Sequence, residues 1–220
     1  MKRQIIITAD GSTTIHIPEW NEQYHSKHGA IQEAYHVFIK NGLSLFKNQE
    51  ISVLEIGFGT GLNCFITFLE LQTYNLKVDY TGVEAYPISD KEVEALNYIS
   101  ELNAEEKISV FKKMHETYWD EEHKISDNFC LKKQQKLFKD IDAKNAFDLI
   151  YFDAFGARVQ PELWTEEVFK KMYIALKKEG VLVTYSAKGS VRRAMQTVGF
   201  VVERLEGPPG KREMLRAIKK

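Results

Sequence analysis

Apolar residues along this chain recur at two spacings, and each change of spacing marks the end of an element. Residues 5–7 and 14–17 are apolar or β-branched runs on either side of Asp10-Gly11, which predicts a β-hairpin turning near that dipeptide. A polar segment follows, and then Ile31, Ala34, Tyr35 and Phe38 repeat at helical spacing as far as Asn41-Gly42. From there the pattern predicts a strand over 51–56, a helix over 62–71, a strand over 78–84, a helix over 90–102 and a short strand over 108–111. Residues 114–129 break the rhythm and read as a hairpin or long loop. A helix over 133–141, a strand over 147–152, a helix over 165–176, a strand over 181–185 and a helix over 190–198 restore it. Two last strands, 200–205 and 213–218, are joined by Gly207-Pro208-Pro209-Gly210. Alternation of this kind predicts an α/β fold with a doubly wound, mostly parallel sheet, because right-handed crossovers place helices on both faces. The paired last strands imply one antiparallel C-terminal edge strand. Residues 1–45 form a hairpin-and-helix extension and 46–220 the core of a single domain, which suits a length of 220 residues.

Composition narrows the function classes. Thirty Lys and Arg against thirty-one Asp and Glu leave a formal net charge of -1, so overall charge points to no polyanion. From residue 170 to 220, however, thirteen basic residues face four acidic ones. Such a tail is either a solvated surface or a polyanion-binding face. Two distant cysteines, Cys64 and Cys130, lack metal spacing, which argues against a zinc site or a disulfide framework. No metal is expected. No signal peptide and no bilayer-length apolar run are evident, so a cytoplasmic protein without membrane contact is expected.

The most informative stretch is Val53-Leu54-Glu55-Ile56-Gly57-Phe58-Gly59-Thr60-Gly61-Leu62-Asn63, an apolar strand that becomes a glycine loop and then a helix. Glycines there let a ligand sit directly on backbone atoms. A dinucleotide fingerprint beginning at Gly57 needs a small residue at position 62, which is Leu62, and the Gly-x-x-x-x-Gly-Lys-Ser/Thr phosphate loop is absent. What remains is the pattern of an S-adenosylmethionine site. Glu55 at the strand end can receive the cofactor's ammonium, or can simply pair with a lysine or cap a helix. Glu84 ends the next strand about 20 residues beyond the loop, where an acid accepts both ribose hydroxyl protons. Tyr86 beside it is either an adenine stacker or a packing residue.

A fourth core strand leads into Tyr151-Phe152-Asp153-Ala154-Phe155-Gly156-Ala157-Arg158-Val159-Gln160-Pro161-Glu162-Leu163-Trp164-Thr165. This run resembles the Asp-Gly-Phe-Ala-Pro…Asn-Pro-Asp/Glu-Leu/Met-Trp-Thr segment of the methyltransferase domain of the MnmC family, bacterial enzymes of tRNA wobble-uridine modification. The loop Gly57-Phe58-Gly59-Thr60-Gly61-Leu62-Asn63 matches that family's cofactor loop. Ser186-Ala187-Lys188-Gly189-Ser190-Val191-Arg192-Arg193-Ala194-Met195 is similar to its Ser/Ala-Gly-x-Val-Arg-Arg segment. Gly210-Lys211-Arg212-Glu213-Met214-Leu215 is similar to its Gly-Arg-Lys-Arg-Glu-Met ending, and Gln23-Tyr24-His25-Ser26 also has counterparts.

The resemblance implies a class I, Rossmann-like, S-adenosylmethionine-dependent methyltransferase fold. It implies methylation of the amine of 5-aminomethyl(-2-thio)uridine in the tRNA anticodon stem-loop. Cofactor contacts fall to Glu55, Gly57, Phe58, Gly59, Thr60, Gly61, Asn63 and Glu84. Asp153 would orient and help deprotonate the amine, or would serve only as a helix-capping carboxylate. Phe155 and Trp164 would wall a flipped-out base, and Lys188, Arg192, Arg193, Lys211 and Arg212 would meet tRNA phosphates or remain solvated surface. The bifunctional enzymes also carry a flavin oxidase domain; a standalone form without it is expected here, so the aminomethyl form would come directly or from a separate oxidase. The family's Gly-Asp at its third strand aligns with Lys132-Lys133, so either Asp127, Asn128 or main chain takes over adenine recognition, or the alignment is shifted there. Rival readings are a methyltransferase of a small-molecule amine or another RNA, and a non-catalytic RNA- or cofactor-binding module.

Overall fold

Residues 2–220 are described by a computed structural model. Strands β1 (Gln4–Ile7), β2 (Thr13–Ile17) and β3 (Glu22–Gln23) form an antiparallel three-stranded sheet. Helix α1 (Ala30–Ala34) runs into a wide π turn over Tyr35–Lys40. Next come β4 (Gln49–Ile56), α2 (Leu62–Leu69), α3 (Leu71–Tyr74) and β5 (Leu76–Glu84), then α4 (Asp90–Glu94), α5 (Tyr98–Glu101) and α6 (Ile108–Glu116). β6 (Glu122–Ser126) and β7 (Phe129–Gln135) form a hairpin. β8 (Phe147–Phe152) leads to α7 (Glu166–Ala175), and β9 (Leu176–Thr184) leads to α8 (Gly189–Thr197). β10 (Phe200–Glu206) and β11 (Glu213–Lys219) pair as a hairpin.

The large sheet has the order β10-β11-β9-β8-β4-β5-β7-β6. β11 is antiparallel to both its neighbours and β6 is antiparallel to β7, while the other strands share one direction. The antiparallel C-terminal strand therefore lies one place in from the edge, and β10 is outermost. Neighbouring residues on the central strands face opposite apolar layers. Val53, Leu149 and Val183 pack with Phe65, Ile66 and Tyr80 on one side. Leu54, Ile150 and Leu182 pack with Phe152, Phe169 and Met172 on the other. Burial on both faces is what a parallel sheet requires, and it explains the near-continuous apolar runs of β4 and β8.

Three elements differ from the sequence expectation. The helix expected over 90–102 is two short helices, α4 opened by a capping box of Ser89 and Glu92. The strand expected over 108–111 is α6, in which Phe111 and Met114 return to one side at helical spacing. The helix expected over 133–141 is instead the end of β7, whose inward positions are Phe129, Leu131 and Lys133. A lysine in the third inward slot hides the two-residue period. Its ammonium donates to the His115 carbonyl at 2.6 Å and lies 5.0 Å from the centre of the Trp119 ring.

Burial lowers the Lys133 pKa to about 8, so the folded state binds that proton less tightly than the unfolded chain, whose pKa is 10.5. Wild-type stability is therefore expected to rise relative to Lys133→Met as pH climbs through that interval. Urea unfolding of both proteins at either end of the interval checks the sign.

Candidate active site

β4 and β8 lie side by side, but the chain leaves β4 toward β5 and leaves β8 toward β9 on the opposite side. A crevice opens outside the carboxyl ends of two strands that part in this way. Here it is a cleft of about 430 Å³. Its floor is built from the loops after β4 and β8, which are stitched together by main chain. The Asp153 amide donates to the Ile56 carbonyl at 2.9 Å, and the Gly57 amide to that of Val83 at 3.0 Å.

Gly57 has φ of +89°, and a Cβ there would stand 2.6 Å from the Asp153 carbonyl oxygen. Gly59 has φ of +52°, and its Cβ would press on the Tyr24 ring at 3.0 Å. Both positions need glycine, for backbone sign and for space. The Gly59 amide donates to one oxygen of Glu84 at 3.1 Å, and the Tyr86 amide donates to the other at 2.9 Å. Glu84 is thus held by the main chain at the mouth of the cleft.

Asn63, near the start of α2, joins two acids. Its Nδ2 donates to Glu55 Oε1 and to Asp153 Oδ2, each at 2.9 Å. Tyr80 donates its hydroxyl to the other Glu55 oxygen at 2.8 Å. Glu55 is fully buried, which pushes its pKa well above the usual carboxylate value. Burial, with the charge of Glu33 second, raises Asp153 to about 7. Asn63 Oδ1 is buried and has no hydrogen-bond partner among the described residues.

The opposite wall comes from the N-terminal strands. Tyr24 and Trp20 meet Phe155 edge to face, with centroids 4.9 and 5.5 Å apart. Arg3 donates to the Tyr86 carbonyl at 2.7 Å and to that of Pro87 at 3.2 Å, fastening this wall to the end of β5. His25, buried beside them, has its pKa lowered to about 4 by burial. Leu137, Phe138 and Lys139 complete the rim after β7.

Of the residues expected at the site, Gly57, Phe58, Gly59, Asn63, Glu84, Asp153 and Phe155 line this cleft. Glu55, Thr60 and Gly61 stand behind it: Thr60 accepts from the Tyr98 hydroxyl at 3.0 Å, and a Cβ on Gly61 would face His115. Trp164 is in the core against Phe152, Phe169 and Tyr185, with its indole N–H on the Phe155 carbonyl, because the turn over Pro161–Trp164 points it inward. Lys132-Lys133 lies within β7 and not at its end. Asp127 and Asn128 precede the opposite end of that strand, whereas Gln135 stands in register with Glu84.

Lys188 and Arg193 are exposed and Arg192 is half-buried at the start of α8, and Arg212 is exposed before β11. Lys211 is turned inward onto Glu33. Arg3, Trp20 and Leu137 had no sequence signal, while Tyr24 and His25 stood in a stretch already marked by resemblance. Among the described residues no helix is long and apolar enough to cross a membrane, and no His, Cys, Asp and Glu group could hold a metal ion.

A structure of MnmC2 from Aquifex aeolicus superposes with a TM-score of 0.77 at 25% identity, covering 100% of this chain and 70% of that one. Spermidine synthase from Thermotoga maritima shares the fold alone, with a TM-score of 0.58 at 16% identity over 99% of this chain and 73% of that one. The tRNA 5-methylaminomethyl-2-thiouridine biosynthesis bifunctional protein MnmC of Leptospira borgpetersenii serovar Hardjo-bovis is 30% identical over 89% of this chain and 32% of its own length. Its counterpart in Idiomarina loihiensis is 28% identical, over 89% and 35%. The chain spans about a third of the length of these curated relatives. Residues 97–220 match the model of a family described as S-adenosyl-L-methionine-dependent methyltransferase. With more than half its length inside that match, and with its cofactor-type loop at the strand switch, the chain belongs to this family of S-adenosyl-L-methionine-dependent methyltransferases.

Proposed function

We propose that the chain methylates the primary amine of 5-aminomethyl(-2-thio)uridine at the wobble position of tRNA, giving the 5-methylaminomethyl form. The observation that carries this reading is Asp153, a carboxyl group in the cleft, fixed by Asn63 and faced by Phe155, Tyr24 and Trp20. Relatives named for 5-methylaminomethyl-2-thiouridine biosynthesis support the choice of substrate.

The residues present fit the cofactor. An unpartnered, buried Asn63 Oδ1 beside the cleft suits a donor such as an ammonium, and Gly57 and Gly59 leave main chain bare where a side chain would fill the space. When bound, S-adenosylmethionine supplies a sulfonium methyl that accepts the amine lone pair as its carbon–sulfur bond breaks. Glu84, anchored by two amides, presents its carboxylate to the ribose hydroxyls. Glu55 holds Asn63 from beneath and touches the ligand only through it.

An alkylammonium has no lone pair, so the acceptor must lose a proton before it attacks. Asp153 is placed to take that proton, and a pKa of about 7 gives it affinity for one near neutral pH. Phe155, Tyr24 and Trp20 offer the uracil ring edges and faces to pack on. Positioning of the nitrogen by these walls supplies the larger share of the rate. Lys188, Arg192, Arg193 and Arg212 form no ion pairs among the described residues and stand at the rim where β9 ends and β11 begins, which suits phosphate contact.

Asp153→Asn is expected to keep cofactor binding and to lose about 10²–10⁴-fold in kcat. In the wild type kcat/KM should rise with pH through about 7, as Asp153 becomes ionised, and the substitution should remove that limb. Nucleoside mass spectrometry of tRNA from cells with and without the gene tests the substrate; a methyl label confined to small metabolites would refute it. Gly59→Val is expected to abolish the heat of S-adenosylmethionine binding in calorimetry while costing about 1–3 kcal/mol of stability. Lys188→Ala with Arg192→Ala should weaken tRNA binding and reduce the salt slope by about 0.7–0.9 for each phosphate that is no longer neutralised. An unaltered slope would leave both as solvated surface.

A further inference from the structure

Lys211 lies in the connection between β10 and β11, among basic residues expected to meet phosphate. Its ammonium instead pairs with Glu33, a buried carboxylate of α1, and sits 3.8 Å above the centre of the Tyr185 ring. Each of those partners leads to one wall of the cleft. The other oxygen of Glu33 accepts from the Ser26 amide at 3.1 Å, directly after Tyr24 and His25. Tyr185 donates its hydroxyl to the Ala154 carbonyl at 2.8 Å, directly after Asp153. Gly210, beside Lys211, has φ of +80° and packs so closely on the His28 ring that no Cβ fits between them.

We propose that Lys211 is a positioning residue of the reaction site and not a phosphate contact: with Glu33 and Tyr185 it ties the Tyr24–His25 wall to the Asp153–Phe155 loop and sets the charge balance around the Asp153 carboxyl. This rests on the reading of Asp153 as the proton acceptor. The groups facing Asp153 are Glu55 from β4, Asn63 from α2, Glu33 from α1, Tyr185 after β9 and Lys211 itself, with His25 and Glu22 beside Glu33 and Tyr185. Glu33 opposes ionisation of Asp153 and Lys211 favours it. The two members therefore act in opposite directions, and removing either leaves the effect of the other unopposed.

The test compares the full chain with Lys211→Met, Lys211→Arg, Glu33→Gln and the double variant Glu33→Gln/Lys211→Met. It uses tRNA from cells lacking the activity and Asp153→Asn as reference. Lys211→Met should move the acid limb of kcat/KM to higher pH and lower kcat at neutral pH. Glu33→Gln, an isosteric change that keeps an acceptor for the Ser26 amide, should move the limb to lower pH, and the double variant should return it toward the wild type. Lys211→Arg should hold the limb in place. The salt slope of tRNA binding should be the same for all five proteins that carry Asp153. A fixed limb with a slope reduced by about 0.7–0.9 in Lys211→Met would make Lys211 a phosphate contact and overturn the proposal. Equal losses at every pH in both single variants would reduce the pair to a structural clamp and overturn it too. A limb that survives in Asp153→Asn would instead overturn the reading of Asp153, and this inference with it.

Discussion

The carboxamide of Asn63 bridges two acids carried at the ends of neighbouring strands. Glu55 is the penultimate residue of the central strand and is fully buried, and Asp153 begins the loop after the neighbouring strand, half-buried at the cleft. A buried carboxyl group costs several kcal/mol unless it is neutralised or given donors. Asn63 offers a donor to each, and Tyr80 adds a second to Glu55. The arrangement uses up the Asn63 nitrogen and leaves its oxygen, beside the cleft, without a partner among the described residues. Under the proposed function, a cofactor donor that reaches this oxygen completes its hydrogen bonding. The glycine loop serves the same end, since it bares main chain beside that oxygen.

A second constraint is that the parallel sheet makes only half a cleft. Strand ends and their loops supply a floor, but the acceptor base of the proposed function would need shielding from water and a surface to stack on. The N-terminal three-stranded sheet provides that wall. Arg3 fixes it to the carbonyls after β5, Asn97 joins it to the core by accepting from the Thr13 amide at 2.7 Å, and Arg158 binds the Trp20 and Asn21 carbonyls from the loop after β8. The Trp20–Tyr24–Phe155 contacts therefore join residues from two sheets, and their geometry depends on fastenings outside the cleft itself.

Strands β4, β5 and β8 are legible in the sequence because both faces are buried, and the motifs at their ends mark Gly57, Glu84 and Asp153 as site residues. Asn63 is legible as part of a motif, but its bridging role is not, since Asp153 is 90 residues away and only the sheet brings them together. β7 escapes the pattern for a local reason: Lys133 occupies an inward slot that an apolar residue would have filled, so the period of two fails there. The same disguise displaces the position at which the resemblance expects an adenine contact. Once β7 is recognised, its end falls at Gln135 beside Glu84. Trp164 belongs to the acceptor wall if judged by its neighbours in sequence. Its ring follows the turn inward instead, and only its indole N–H reaches the loop, through the Phe155 carbonyl.

The basic residues show why counting charge overstates contact with nucleic acid. The excess between residues 170 and 220 is real in the sequence, but the fold occupies much of it. Lys177 pairs with Asp148, Arg216 with Glu203, Arg204 with Glu213, and Lys219 donates to the Leu176 carbonyl and the Asn145 side chain. Lys211 is committed to Glu33. A cation already held by a carboxylate releases little when a phosphate arrives, because one ion pair must be given up to form another. Of the exposed cations left over, Lys170 lies on α7 and Lys178 near the start of β9, whereas Lys188, Arg193 and Arg212, with Arg192 half-exposed beside them, gather at the rim where the cleft opens. It is this rim cluster, small and local, that a polyanion would meet under the proposed function, and a protein with a net charge of -1 can present it without being basic as a whole.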